Sequence, residues 1–293
     1  MKIAILGKGG SGKSSISWLL TQYLSTNTTN NVLAIDADHN MDLSSCLGYQ
    51  IDASTKLFYK SNKHFKNLLS IPESEKWQVQ FSDEYKTKES IKFGYKPADE
   101  FLIEYINPIN SNLDLLVVGL GEEDIMYTGM CSHGLSSPLK YLLPRLEISE
   151  DSYVVLDSVA GSDMVNYGLY FGFDVVSVVV EGHINSIKVA KQLDILLKKQ
   201  GIELHFILNK YNSENQLIKD FIADENYANR IIGRVPIDTE IMNYDYSKVS
   251  DETKESVLKT VENMKKLPRS SSQAYELLKA FETKKTETLV KTS

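Results

Sequence analysis

Cysteine is scarce in this chain. Among 293 residues there are two, Cys46 and Cys131. Two cysteines make no disulfide scaffold, and a reducing compartment, the cytoplasm, is the expected location. Long apolar runs are missing as well. No stretch approaches the roughly 20 residues that a membrane-crossing helix needs. Positive charge is in deficit, with 32 Lys and Arg against 39 Asp and Glu and a net charge of -7. That balance argues against broad, sequence-independent binding to nucleic acid, although a local basic patch is compatible with it. There is no internal repeat and no long low-complexity segment. A strand-like run begins at residue 2, so no secretory leader is expected. What is present is ordinary for a globular protein: 42% hydrophobic and 24% charged residues.

Seven apolar runs alternate with helical patterns, at 2–6, 32–36, 113–119, 153–157, 174–180, 203–208 and 231–235. Near-continuous apolar strands separated by helices predict an α/β fold, a doubly wound and mostly parallel sheet with helices on both faces. One domain of this kind absorbs residues 1–293. Segment 51–112 is less regular, with Trp77 and several Tyr and Phe among charges, and reads as helices plus a lid or a partner-facing segment. The extension 251–293 reads as two short helices broken at Leu267-Pro268-Arg269-Ser270. Ligands of such sheets lie beyond the carboxyl ends of the strands, and the chemically informative residues sit there.

Gly7-Lys8-Gly9-Gly10-Ser11-Gly12-Lys13-Ser14 follows the first apolar run and opens a helical stretch from Ser15 to Leu24. This is the strand–loop–helix setting of a phosphate-binding loop. Glycines let backbone N–H groups approach phosphate oxygens, and the helix N-terminus adds partial positive charge. Gly9, Gly10, Ser11, Gly12, Lys13, Ser14 and Ser15 are the nucleotide contacts expected here. Lys13 reaches the β- and γ-phosphates, and Ser14 holds Mg²⁺ through its hydroxyl.

The second strand ends Asp36-Ala37-Asp38-His39-Asn40-Met41-Asp42. Carboxylates crowded beside a phosphate loop are costly without a cation. Asp38 is the candidate for polarising the attacking water. Asp42 is a candidate outer partner of Mg²⁺, or else the cap of the helix that follows. The strand at 153–157 ends in Asp157, the usual place for a carboxylate that assists Mg²⁺. Gly161, four residues on, is placed to offer its amide to the γ-phosphate. Asn209-Lys210 follows the sixth run with Asn212 where guanine-specific proteins carry Asp, so ATP is the expected nucleotide. Asn209 reads the adenine edge, and Pro236, Ile237 and Asp238 form the other wall of the base pocket; the alternative is that these are ordinary loop residues.

Cys131 and His133 lie in Gly129-Met130-Cys131-Ser132-His133-Gly134. One such pair offers two metal ligands where structural sites use four. A symmetric dimer supplies four, and thiolate with imidazole suits Zn²⁺ or Ni²⁺. The alternative is an inert cysteine near an unrelated surface histidine.

These motifs together resemble the deviant Walker A ATPases. The features that carry the resemblance are Lys8 inside the loop, Asp36-Ala37-Asp38, Asp157-Ser158-Val159-Ala160-Gly161, Val178-Val179-Val180-Glu181, Asn209-Lys210 and Gly233-Arg234-Val235-Pro236-Ile237-Asp238. That group includes the nitrogenase iron protein, the Min and Par positioning ATPases and the CooC-type ATPases that mature carbon monoxide dehydrogenase. The CooC type is most similar. The resemblance implies an ATPase that forms a homodimer on ATP binding, with Lys8 crossing to the partner's phosphates as a catalytic cation beside Lys13 and Asp38. It further implies metal handling for a client metalloenzyme. The chain departs from the CooC pattern, carrying Cys131-Ser132-His133 in place of Cys-x-Cys, and Met164 stands where the iron protein has its second cysteine. A four-cysteine cluster is therefore disfavoured. A positioning or partition role on DNA or membrane is the rival reading, and the tail stripe Tyr275, Leu277, Leu278 and Phe281 is its candidate anchor, although such a stripe is more often core packing.

Overall fold

The computed structural model describes residues 1–292 apart from 27–28, 39, 89, 120–136, 162–164, 166–167 and 269–272, and at 86–88 and 289–292 the backbone alone. Alternation of side chains along the strands organises the whole molecule. In β1 (Lys2–Gly7), Ile3 and Ile5 enter one apolar cluster while Ala4 and Leu6 enter the other. β2 (Asn31–Asp36) repeats the pattern, with Val32 and Ala34 on one side and Leu33 and Ile35 on the other. Both faces are buried, as period-2 side chains in a covered parallel sheet require.

Ten strands are described. β3 (Phe93–Tyr95), β4 (Asn107–Asn110), β5 (Leu113–Val117), β6 (Leu146–Ile148), β7 (Ser152–Asp157), β8 (Val175–Val180), β9 (Leu204–Tyr211) and β10 (Ile231–Pro236) complete the set. Eight of them form one sheet in the order β10-β9-β8-β1-β7-β2-β5-β4. All its pairings are parallel except β4 with β5. All seven expected strands are present. β9 runs on to Tyr211, so Asn209 and Lys210 belong to the strand and not to the loop beyond it.

One face carries α1 (Lys13–Thr26), α2 (Asp42–Cys46) and, further along the chain, a helix at Asp251–Lys265. That helix also covers the sheet edge. Asn263 Nδ2 donates to the Ile232 carbonyl at 3.0 Å, and the Ser256 hydroxyl donates to that of Arg234. Free edge carbonyls of β10 are thereby satisfied, which blunts edge-to-edge pairing. The opposite edge, β4, is short and contains Pro108, a residue tolerated at edges.

Segment 51–112 contributes to the other face. Phe65 lies 5.1–5.2 Å from the rings of Trp77, Phe93 and Phe101, and Trp77 stacks on Tyr141 at 5.0 Å. β3 pairs with β6, Phe93 opposite Leu146, as a separate two-stranded ribbon. The extension forms helices of 15 and 19 residues, Asp251–Lys265 and Ala274–Thr292, longer than the sequence pattern suggested. Leu278 is fully buried and Phe281 packs 5.5 Å from Phe171, so the apolar stripe of the terminal helix faces the body. A buried ion pair of Lys140 with Glu282 fastens it, joined by Gln78 Nε2 donating to Glu282 at 2.7 Å. No described helix is long and apolar enough to cross a membrane.

Candidate nucleotide site

The phosphate loop joins β1 to α1 at the centre of the sheet, beyond the carboxyl ends of β1, β7 and β2. Its carbonyls are engaged. Ser11 N–H donates to Lys8 O at 3.1 Å, Gly161 N–H to Gly7 O at 3.0 Å, and Asn209 Nδ2 to Ser11 O at 3.0 Å. Its amides are another matter. Among the described residues, the N–H groups of Gly9, Gly10, Gly12, Lys13, Ser14 and Ser15 donate to no carbonyl and no side chain. Consecutive uncommitted amides at a glycine turn that opens a helix are what an oxyanion needs. α1 has no acidic residue in its first turn to compete for them. Lys13 is buried, and the Ser11 hydroxyl, also buried, has no partner among the described residues.

Gly12 has a left-handed φ of +84°, and a Cβ there would lie 2.2 Å from Asn209 Nδ2. Only glycine leaves room for that brace. Asn209 is thus placed against the loop backbone, with its amide nitrogen engaged there, where the sequence suggested an adenine contact.

Two aspartates end neighbouring strands as a register pair, Asp36 of β2 and Asp157 of β7. Both are wholly buried. Asp157 Oδ1 accepts from the Ser17 hydroxyl at 3.1 Å. Asp36 Oδ2 accepts from the Ser44 amide at 2.7 Å and its hydroxyl at 2.6 Å. The second oxygens, Asp36 Oδ1 and Asp157 Oδ2, have no hydrogen-bond partner among the described residues. Burial pushes the Asp36 carboxyl up to about 7, the charges of Asp157 and Asp38 adding to it against the Ser44 bonds. Burial likewise raises Asp157 to about 6, with Ser14, Lys13 and Ser17 opposing. A buried oxygen of this kind is expensive unless a cation comes to it. The sequence pattern alone assigns Asp36 no role. The signal was its position, since the last residue of β2 must face the last residue of β7.

Asp38 is nearly buried, and its Oδ1 accepts from the Asn40 amide at 3.1 Å. Asp42 opens α2 and is exposed. It does not cap that helix: Met41 is the N-cap residue, without a side-chain bond, and Asp36 supplies the carboxylate to the Ser44 amide. Lys8 folds back, Nζ donating to the Gly9 carbonyl at 3.0 Å. The Gly161 amide, expected at a γ-phosphate, rests on Gly7.

Beyond β10, Pro236 is half-buried and Ile237 exposed. The Asp238 carboxylate accepts from Glu240 N–H, from Ser250 N–H and hydroxyl, and from the Thr253 hydroxyl, at 2.8–3.0 Å. Burial disfavours its charge, and those bonds outweigh the burial, so its pKa is lowered. Asp238 thus organises the loop. Cys131 and His133 lie outside the described residues. Among the described residues no three or more His, Cys, Asp or Glu are gathered to hold a metal. Mg²⁺ does not require such a cage, because it keeps several waters and takes one or two carboxylates. Ser14 with Asp157 and Asp36 fits that donor set.

The chain belongs to the CobQ/CobB/MinD/ParA nucleotide-binding domain family, whose model matches residues 2–250. An uncharacterised ATP-binding protein of Methanocaldococcus jannaschii is 28% identical over 243 residues, 83% of this chain and 90% of that protein. The carbon monoxide dehydrogenase accessory protein CooC of Rhodospirillum rubrum is 26% identical over 251 residues, 85% and 89% of the two chains. In fold, the chain is similar to a putative plasmid partition protein of Borrelia burgdorferi solved with AMPPNP. The TM-score is 0.58 with 19% identity, over 90% of this chain and 98% of that one. It is also similar to the cell division ATPase MinD of Pyrococcus furiosus, with TM-score 0.56 and 18% identity over the same shares.

Proposed function

We propose that this protein is an ATP-hydrolysing dimeric switch that serves the maturation of a client metalloenzyme. The observation that carries the nucleotide part is the pairing of six loop amides with two buried carboxylate oxygens, all without a partner among the described residues. In this reading the amides of 9–15 cradle the phosphates, and Lys13 neutralises the β- and γ-oxygens. Ser14, Asp157 and Asp36 would hold Mg²⁺, with Asp42 an outer partner through its waters; the ion, when bound, supplies positive charge to the β- and γ-phosphates. Asp38 orients water toward the γ-phosphorus. Lys8 leaves the Gly9 carbonyl and reaches the partner's phosphates. A cation given in trans contributes about 10³–10⁵ in rate in comparable phosphoryl transfers. Asn209, Pro236, Ile237 and Asp238 border the base, Asn209 and Asp238 through the backbone they hold.

The maturation role is supported by the CooC relative and by Cys131 and His133, which in a dimer amount to four ligands for Ni²⁺ or Zn²⁺ as cargo. Nucleotide and metal affinities must then be linked by one factor in both directions. Calorimetric titration of Ni²⁺ and Zn²⁺ with and without Mg·AMPPNP tests it. Different affinities that collapse to one value in Cys131→Ala are expected; identical affinities overturn the metal role.

The fold likeness to partition and MinD proteins favours a second reading, a positioning ATPase on DNA or membrane. The burial of Leu278 and the packing of Phe281 turn the terminal apolar stripe away from any bilayer. Co-sedimentation with anionic vesicles or DNA, in ATP at low salt, distinguishes the two. Pelleting in either arm replaces the maturation reading.

A further inference from the structure

Ser17 and Ser44 are both fully buried, on different helices, and do the same thing to adjacent carboxylates. Ser17 holds Asp157 Oδ1 and Ser44 holds Asp36 Oδ2. In each case one oxygen is pinned and its twin has no hydrogen-bond partner within bonding distance among the described residues. Alanine would pack as well at a buried helical position and favours the helix more. Packing therefore does not account for two hydroxyls here.

We propose that Ser17 and Ser44 are positioning residues for the cation that accompanies the nucleotide. Each fixes the rotation of its carboxylate, so that Asp157 Oδ2 and Asp36 Oδ1 are presented together from neighbouring strands. The inference rests on the reading of this site as one for a magnesium nucleotide. Mg²⁺ is demanding here, because it requires near-octahedral oxygens and releases its waters reluctantly. A carboxylate free to rotate about its last bond meets that requirement only part of the time. Ser17 lies one helical turn beyond Ser14, so a single helix delivers both a hydroxyl for the metal and the orienter of the carboxylate opposite. Ser44 lies on α2, just beyond Asp38 and Asp42. Its grip on Asp36 makes the presented oxygen depend on where that short helix sits. Partners of a ligand, and not the ligands alone, commonly set metal affinity, and their loss typically lowers it 10–100-fold.

The test uses the full chain with Mn²⁺ as a paramagnetic stand-in for Mg²⁺. Mn²⁺ affinity is measured by electron paramagnetic resonance at saturating ADP, and ADP affinity separately in EDTA. Ser17→Ala is expected to weaken Mn²⁺ about tenfold, equal to about 1.4 kcal/mol, and to leave metal-free ADP affinity unchanged. Ser17→Cys, nearly isosteric but a weak donor, is expected to do the same and guards against a folding defect in the alanine variant. Ser44→Ala keeps its backbone donor and is expected to weaken Mn²⁺ less, about threefold. Unchanged Mn²⁺ affinity in both Ser17 variants overturns the proposal. Equal losses with and without metal also overturn it, since they mark a purely structural role. A wild-type chain that binds no ADP at all refutes the reading of the site instead.

Discussion

Replacing Gly12 by alanine tests the phosphate loop and its brace at once. The added Cβ lies 2.2 Å from Asn209 Nδ2, which essentially no real contact tolerates. Asn209 is 4% exposed, and a retreat of its Nδ2 from the added Cβ takes it off the Ser11 carbonyl. A buried hydrogen bond left unmade costs about 1–3 kcal/mol. A side chain at φ +84° adds about 1–2 kcal/mol of left-handed strain. Together these predict a loss of about 2–5 kcal/mol and a Tm lower by about 3–8 °C. ATP binding is expected to suffer more than stability, because the displaced amides are the ones proposed to hold the phosphates. A loss of about 10²-fold or more is expected, the scale of a 1 Å misplacement at a site. Differential scanning fluorimetry and titration with a fluorescent ATP analogue read the two effects. Asn209→Ala alone is predicted to destabilise by about 1–3 kcal/mol. The double variant Gly12→Ala/Asn209→Ala is predicted to cost less than the two singles together, since collision and lost bond are one event. A Gly12→Ala protein with wild-type Tm and ATP affinity, or singles that add, would refute the reasoning.

The terminal helix gives a second prediction. Glu282→Leu removes the carboxylate that the buried Lys140 ammonium pairs with and is expected to lower stability by about 3–5 kcal/mol, while Lys140→Met/Glu282→Leu recovers most of it; urea melts showing equal losses would contradict this. The carboxylate pair predicts a pH dependence. Asp36 titrates near 7 and Asp157 near 6 in the folded chain against 3.8 for an ordinary Asp, so between those values the folded state holds protons the unfolded state has released. Stability of the metal-free protein therefore falls as pH rises from about 4 to about 7. Binding of Mg·ATP requires both groups ionised and should expel protons near pH 6.5, seen as a buffer-dependent heat in calorimetry; the same heat in phosphate and Tris would refute it.

Much of the fold was legible because apolar strands advertise themselves. β1, β2, β5 and β7 to β10 are runs of Val, Ile and Leu bounded by Asp, Asn or Gly. β4 was not legible: Asn107-Pro108-Ile109-Asn110 carries three residues that strands disfavour, and it survives as an antiparallel edge. β3 and β6 have three residues each and exist only through their mutual pairing. The phosphate loop was legible because its spacing is chemistry written locally. Asp36 was not singled out, because three aspartates within seven residues look alike until the sheet register faces one of them with Asp157. The engagement of Asn209 with Ser11 and of Asp238 with Ser250 also depends on contacts far apart in the chain.

In the proposed switch two copies join around ATP, each lending Lys8 to the other. Sedimentation velocity with saturating Mg·AMPPNP, on wild type, Lys8→Ala and Lys13→Ala, tests it most directly. A shift from 33.1 kDa to twice that mass is expected for the wild type, with a weaker dimer for Lys8→Ala and none for Lys13→Ala. A wild-type chain that binds the nucleotide and still sediments as a monomer contradicts it.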